Sequence, residues 1–102
     1  MTEPEEQGMP ATQLLEALLE LATRAQLEVR VLSRAASQME HGPTSSAACR
    51  VGERVWVVLA PDDPAIHQAR VLAQALGVHR GEFLDTVFVA PAVRAFVDRL
   101  KQ

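Results

Sequence analysis

The chain has 102 residues, 48% of them apolar, 23% charged and 4% aromatic, with a formal net charge of −3. That is the length of one small domain, it is too apolar for a disordered chain, and no apolar run nears the ~18 residues of a membrane helix. A single cysteine, Cys49, excludes an internal disulfide and a cysteine-based structural zinc site.

The charge is unevenly placed. Glu3, Glu5 and Glu6 stand beside Pro4, Gly8 and Pro10; without these three, 10 of the 13 acids remain, against 10 bases. Residues 1–9 therefore read as a disordered acidic tail, and residues 10–102 as a single, formally neutral domain. A neutral body does not attract nucleic acid or anionic lipid over distance, so neither is an expected partner. The acidic, polar start lacks the pattern of a secretory or transit peptide, which makes the cytoplasm the expected location.

Residues 12–26 predict a first helix. Leu14, Leu15, Leu18, Leu21, Ala22 and Ala25 recur at three- and four-residue steps, with Thr12 as candidate N-cap. Leu27, Val29 and Val31 then alternate with Glu28 and Arg30, the pattern of a strand with one wet face. Residues 34–46 have no period and are rich in Ser, Gly, Pro and Thr; they predict an exposed loop, long for a compact domain. Ala47 to Ala60 predicts a hairpin. Val51-Gly52-Glu53-Arg54 puts Gly first in a two-residue type II′ turn, which sets Cys49 opposite Trp56 and Ala47 opposite Val58.

Val55 to Leu59 is apolar on both faces, as in a central strand covered on both sides. Asp63 suits an N-cap and Pro64 the first position of a second helix, with Ala65, Ile66, Ala69, Leu72, Ala73 and Leu76 buried and Gly77 as its stop. Residues 82–89 fit either a helical turn or a short strand. Pro91 opens a last helix with Val93, Phe96, Val97 and Leu100 on one side. The expected fold class is α+β: a small three-stranded antiparallel sheet packed by an N-terminal, a middle and a C-terminal helix.

The residues argue against catalysis. His41, His67, His79 and Cys49 are the soft ligands, and no two histidines stand at i,i+3 or i,i+4, so neither a metal nor a cofactor is expected. Cys49 has no base beside it on its strand face and reads as a small buried hydrophobe. Asp62 and Asp63, flanked by prolines, read as helix capping rather than an acid–base pair. There is no G-x-S-x-G elbow and no glycine-rich phosphate loop. Arg30, Arg50 and Arg54 alternate with Glu28 and Glu53 as on a solvated face. No residue is assigned a catalytic role, and an enzyme is not expected.

Leu27-Glu-Val-Arg-Val, a loop, Cys49-Arg-Val-Gly-Glu-Arg-Val-Trp-Val-Val and then Val71-Leu-Ala-Gln-Ala-Leu-Gly-Val78 form a layout that resembles the core of the ImmA/IrrE-type zinc metallopeptidases. In that family a hairpin precedes a helix reading L-A-H-E-L-G-H. Leu72, Ala73, Leu76 and Gly77 match it by type. The zinc histidines fall on Gln74 and Val78 and the catalytic glutamate on Ala75, so the resemblance implies a scaffold stripped of its protease chemistry. The ending Phe88-Val-Ala-Pro-Ala-Val-Arg94 is also similar to that of a group of short uncharacterised bacterial proteins.

The functional expectation rests on unmet burial. Val55, Val57 and Leu59 point one way along their strand, and Trp56 and Val58 the other; two helices cover one face of so small a sheet. The second face needs the Phe83 to Leu100 segment or another chain. The sequence thus points to a non-enzymatic protein–protein interaction module that forms a homodimer, with Trp56, Phe83, Phe88 and Phe96 as candidate anchors. The alternative is a small-ligand binder or degenerate metallopeptidase-like domain with a cleft lined by His67, Arg70 and Gln74. Exposure of His67 and Gln74 would favour the former, and their burial around a cavity the latter.

Overall fold

The computed structural model describes residues 9–32 and 46–100. The expected tail as far as Gly8, the expected loop as far as Ser45, and His41 lie outside the described residues.

Helix α1 spans Ala11–Arg24 and buries Leu14, Leu18, Leu21 and Ala22. It is capped by Pro10 rather than Thr12, and the Pro10 carbonyl accepts the Leu14 N–H at 2.9 Å. Its far end closes as a Schellman motif: Gln26 donates to the Thr23 carbonyl and Leu27 to the Ala22 carbonyl. Gln26 takes φ +65° to do so, the conformation that glycine adopts at lowest cost.

Strands β1 (Glu28–Val31), β2 (Ala47–Val51) and β3 (Arg54–Leu59) form one sheet in the order β1-β3-β2. The hairpin has the expected register, with Cys49 opposite Trp56 and Ala47 opposite Val58. Gly52 carries φ +62° and Glu53 is not among the positive-φ residues, as a type II′ turn requires. The sheet is mixed, which corrects the purely antiparallel expectation: β1 runs parallel to β3, with Glu28 opposite Trp56 and Val31 opposite Leu59. The most apolar strand, β3, takes the central place, and β1 and β2 lie antiparallel to one another on either side of it.

Helix α2 (Ala65–His79) packs against α1 and β3 and buries Ala69, Leu72, Ala73, Ala75 and Leu76. It runs through Gly77, which therefore does not stop it. The break comes at Arg80, where φ −136° leaves the helical region. A single turn, α3 (Gly81–Leu84), follows, and no strand forms over 86–89. Helix α4 (Pro91–Leu100) lays Val93, Phe96 and Val97 against α2 and α1. The C-terminal segment thus completes the helical layer, and the core is the sandwich of Val55, Val57 and Leu59 with the apolar stripes of α1, α2 and α4. Each fully buried Leu or Val contributes about 1.5–3 kcal/mol relative to exposure.

Candidate interaction surface

Period-two alternation along β3 sends Val55, Val57 and Leu59 under the helices and Arg54, Trp56 and Val58 to the opposite face. That second face, expected to be covered, carries no helix among the described residues: α4 joins α1 and α2 instead. Its centre is Trp56, half-buried by its own neighbours. The guanidinium carbons of Arg30 and Arg54 lie 5.1 and 5.5 Å from the indole centroid, close enough for cation–π attraction. Arg54 also pairs with Glu28, which the parallel register of β1 sets opposite Trp56. Beyond Trp56 the face continues through Val58 to Ala47, Cys49 and Val51, all three exposed, Val51 by 65%. Cys49 is exposed, not the buried hydrophobe expected. Strand alternation placed its side chain correctly; among the described residues no layer covers it.

Strand β2 is exposed along all five residues and forms one edge of the sheet. The phase of its hydrogen bonding follows from β3. The Leu59 carbonyl accepts from Leu32 on the β1 side, so Val55, Val57 and Leu59 bond toward β1 and Arg54, Trp56 and Val58 toward β2. Val51, Cys49 and Ala47 therefore face inward to β3. The N–H and C=O groups of Ala48 and Arg50 face outward from the edge.

The start of β2 is pinned. Ser46, expected in an exposed loop, is buried: its N–H donates to Asp63 Oδ2 at 2.6 Å, and its Oγ accepts from Ala60 N–H at 2.9 Å. Hydrogen bonds from the Ser46 hydroxyl and then from its N–H hold the Asp63 carboxyl below the ordinary carboxylate range. Asp63 is thus not the cap of α2. The N-cap is Pro64, with no side-chain bond, and the Asp63 backbone carbonyl accepts from Gln68 Nε2 at 2.8 Å.

On the helix side of β2 an open groove of about 330 Å³ is lined by Ser46, Ala48, Val71, Gln74, Ala75 and Val78, among others. The ligand-pocket candidates do not converge on it. Gln74 lines it and is exposed; Arg70 is exposed outside it; His67 is half-exposed and lies 3.7 Å from Asp63. Among the anchor candidates, Phe96 is inside the core at 7% exposure, Phe83 and Trp56 are half-buried, and Phe88 is 83% exposed. Phe88 rims a smaller groove, about 200 Å³, between α1 and the start of α4.

Two arginines carry more of the architecture than the sequence indicated. Arg80 donates to the carbonyls of Ala25 at 2.9 Å, His79 at 2.9 Å and Glu53 at 3.5 Å, joining the ends of α1 and α2 to the hairpin turn. A cation there also meets the negative ends of two helix dipoles. Arg94 ties α4 to α3 through Leu84 O and Asp85, and pairs with Asp98 one turn on. These acids, Asp85 first, push its pKa further above the usual arginine value. A basic residue just after a helix stop was the available signal for Arg80.

Among the described residues no three His, Cys, Asp or Glu side chains gather as a metal set, and no helix is long and apolar enough to cross a membrane. No protein-family model matches the chain, and no curated protein or solved structure is significantly similar to it.

Proposed function

We propose that this chain is a non-enzymatic protein–protein interaction module that self-associates as a homodimer. The observation that carries the reading is the open side of the sheet: Trp56, Val58, Ala47, Cys49 and Val51 form a continuous apolar strip, bordered on the β1 side by Glu28, Arg30 and Arg54, that runs out to an exposed edge strand. A strip of that kind, joined to an edge whose outer backbone has no strand partner among the described residues, is what native folds ordinarily cover or charge. The exposure of Gln74 and the half-exposure of His67 favour contact over a buried small-ligand cavity. Light scattering of the full chain at micromolar concentration tests it: a mass near twice 11.1 kDa is expected, and a species at 11.1 kDa alone overturns it.

One observation favours a second reading. Gln74, Ala75 and Val78, the positions that the metallopeptidase resemblance would assign to catalysis, all line the groove beside β2. Under that reading the groove is the remnant of a peptide cleft in a cytoplasmic bacterial protein. Stoichiometric zinc by elemental analysis would favour a living metal site, against both readings.

A further inference from the structure

We infer that the second copy of this chain joins at the outer edge of β2, antiparallel, on a two-fold axis through Cys49. The inference rests on the self-association reading and names its surface.

The two edges of the sheet are not equivalent. β1 offers four residues, with Glu28 and Arg30 among them, and charged side chains on an edge discourage pairing. β2 offers five exposed residues, Ala-Ala-Cys-Arg-Val, with a single charge and neither proline nor glycine. Its outward hydrogen-bonding groups belong to Ala48 and Arg50, as the phase of β3 dictates.

The symmetry and the groups already committed select one register. A two-fold axis at Cys49 pairs Ala48 with Arg50 of the second copy and Arg50 with its Ala48, so both outward residues of each strand exchange both bonds. An axis at Ala48 would call on the Ser46 N–H, which already donates to Asp63. An axis at Arg50 sets the two Arg50 guanidiniums directly opposite each other, a destabilising like-charge pair, and calls on Gly52 in the turn. Only the Cys49 axis uses every outward group and opposes no like charges. On the open face it places Ala47 against Val51 of the second copy, so a small side chain meets a larger apolar one. The result is a continuous six-stranded sheet whose two Trp56 faces adjoin.

This register brings the two Cys49 residues together as a non-hydrogen-bonded antiparallel pair. Their Cα atoms then stand about 4.5 Å apart, within the roughly 4.4–6.8 Å that a disulfide spans. The thiols are exposed and free. An added oxidant such as diamide would therefore take up two electrons and two protons from the pair and leave one S–S bond across the axis.

The test uses the full chain. Treatment with diamide at micromolar concentration is expected to give a reducible covalent dimer within the noncovalent one, absent in Cys49→Ser, which still dimerises. Ala48→Pro removes an outward N–H and leaves the β2–β3 ladder whole; it is expected to raise the dimer dissociation constant by about tenfold or more, with an unchanged circular dichroism spectrum as the check on folding. A dimer that neither cross-links through Cys49 nor weakens in Ala48→Pro overturns this interface but leaves self-association standing. A monomer under reducing conditions overturns both.

Discussion

At Gln26 the chain adopts φ +65° at the end of α1, where the side chain is exposed and the turn is closed by backbone hydrogen bonds. An L-residue in this region costs about 1–2 kcal/mol, part of which glycine returns as unfolded-state entropy. Gln26→Gly is therefore expected to stabilise the fold by about 0.5–1 kcal/mol, read from the midpoint of urea unfolding at unchanged slope. Arg80 acts in the other sense. It bridges three element ends through carbonyls, so Arg80→Ala is expected to cost about 1.5–3 kcal/mol, with Arg80→Lys recovering a part because one ammonium cannot reach all three. Asp63 brings a pH dependence. Its carboxyl titrates below the unfolded value, so its contribution is present at neutral pH and is lost as the pH falls through the carboxylate range, roughly below pH 4. Asp63→Asn is expected to flatten that acid limb and to lower stability at pH 7, as measured by unfolding across pH 3 to 7.

At the scale of elements, what the sequence made legible was local. The hairpin register followed from the two-residue turn and the period of two, both contained within Ala47 to Leu59. Most of the buried stripes of α1, α2 and α4 followed from helical spacing, though in α2 Ala65 and Ile66 are only half-buried and Ala75, off the expected stripe, is buried. The direction of β1 was not legible, because it is set by pairing with residues 28 positions further along the chain, across a connection with no period of its own. The stop of α2 was misplaced for a related reason. Gly77 has intrinsic breaking power worth about 1 kcal/mol, but Leu72, Ala73, Ala75 and Leu76 are anchored in the core and Arg80 fastens the last turn to Ala25. Tertiary packing outweighed propensity. Leu72 and Leu76 are both fully buried in α2, and Leu72→Ala is expected to cost about 2–5 kcal/mol in equilibrium unfolding. A loss below 1 kcal/mol would mean that α2 does not carry the core as described.

For the whole molecule, the composition already pointed to a neutral body with more apolar strand surface than its helices could cover, and the candidate anchors followed from that shortage. Four rings were too few to decide which of them serve the core. Phe96 went inside because α4 packs on α1 and α2, and Trp56 stayed on the open face because strand alternation points it away from the helices, where the guanidiniums of Arg30 and Arg54 lie over its ring. The edge of β2 is invisible in the sequence, since an edge is defined only by strand order. The claim that this edge meets a second copy is tested most directly by amide hydrogen exchange of the full chain, followed residue by residue at several concentrations. Cys49 and Val51, bonded inward to β3, should be protected alike at every concentration. Ala48 and Arg50 should exchange freely in dilute solution and become protected together as concentration rises through the dimer dissociation constant. Free exchange at both positions at every concentration would contradict the account.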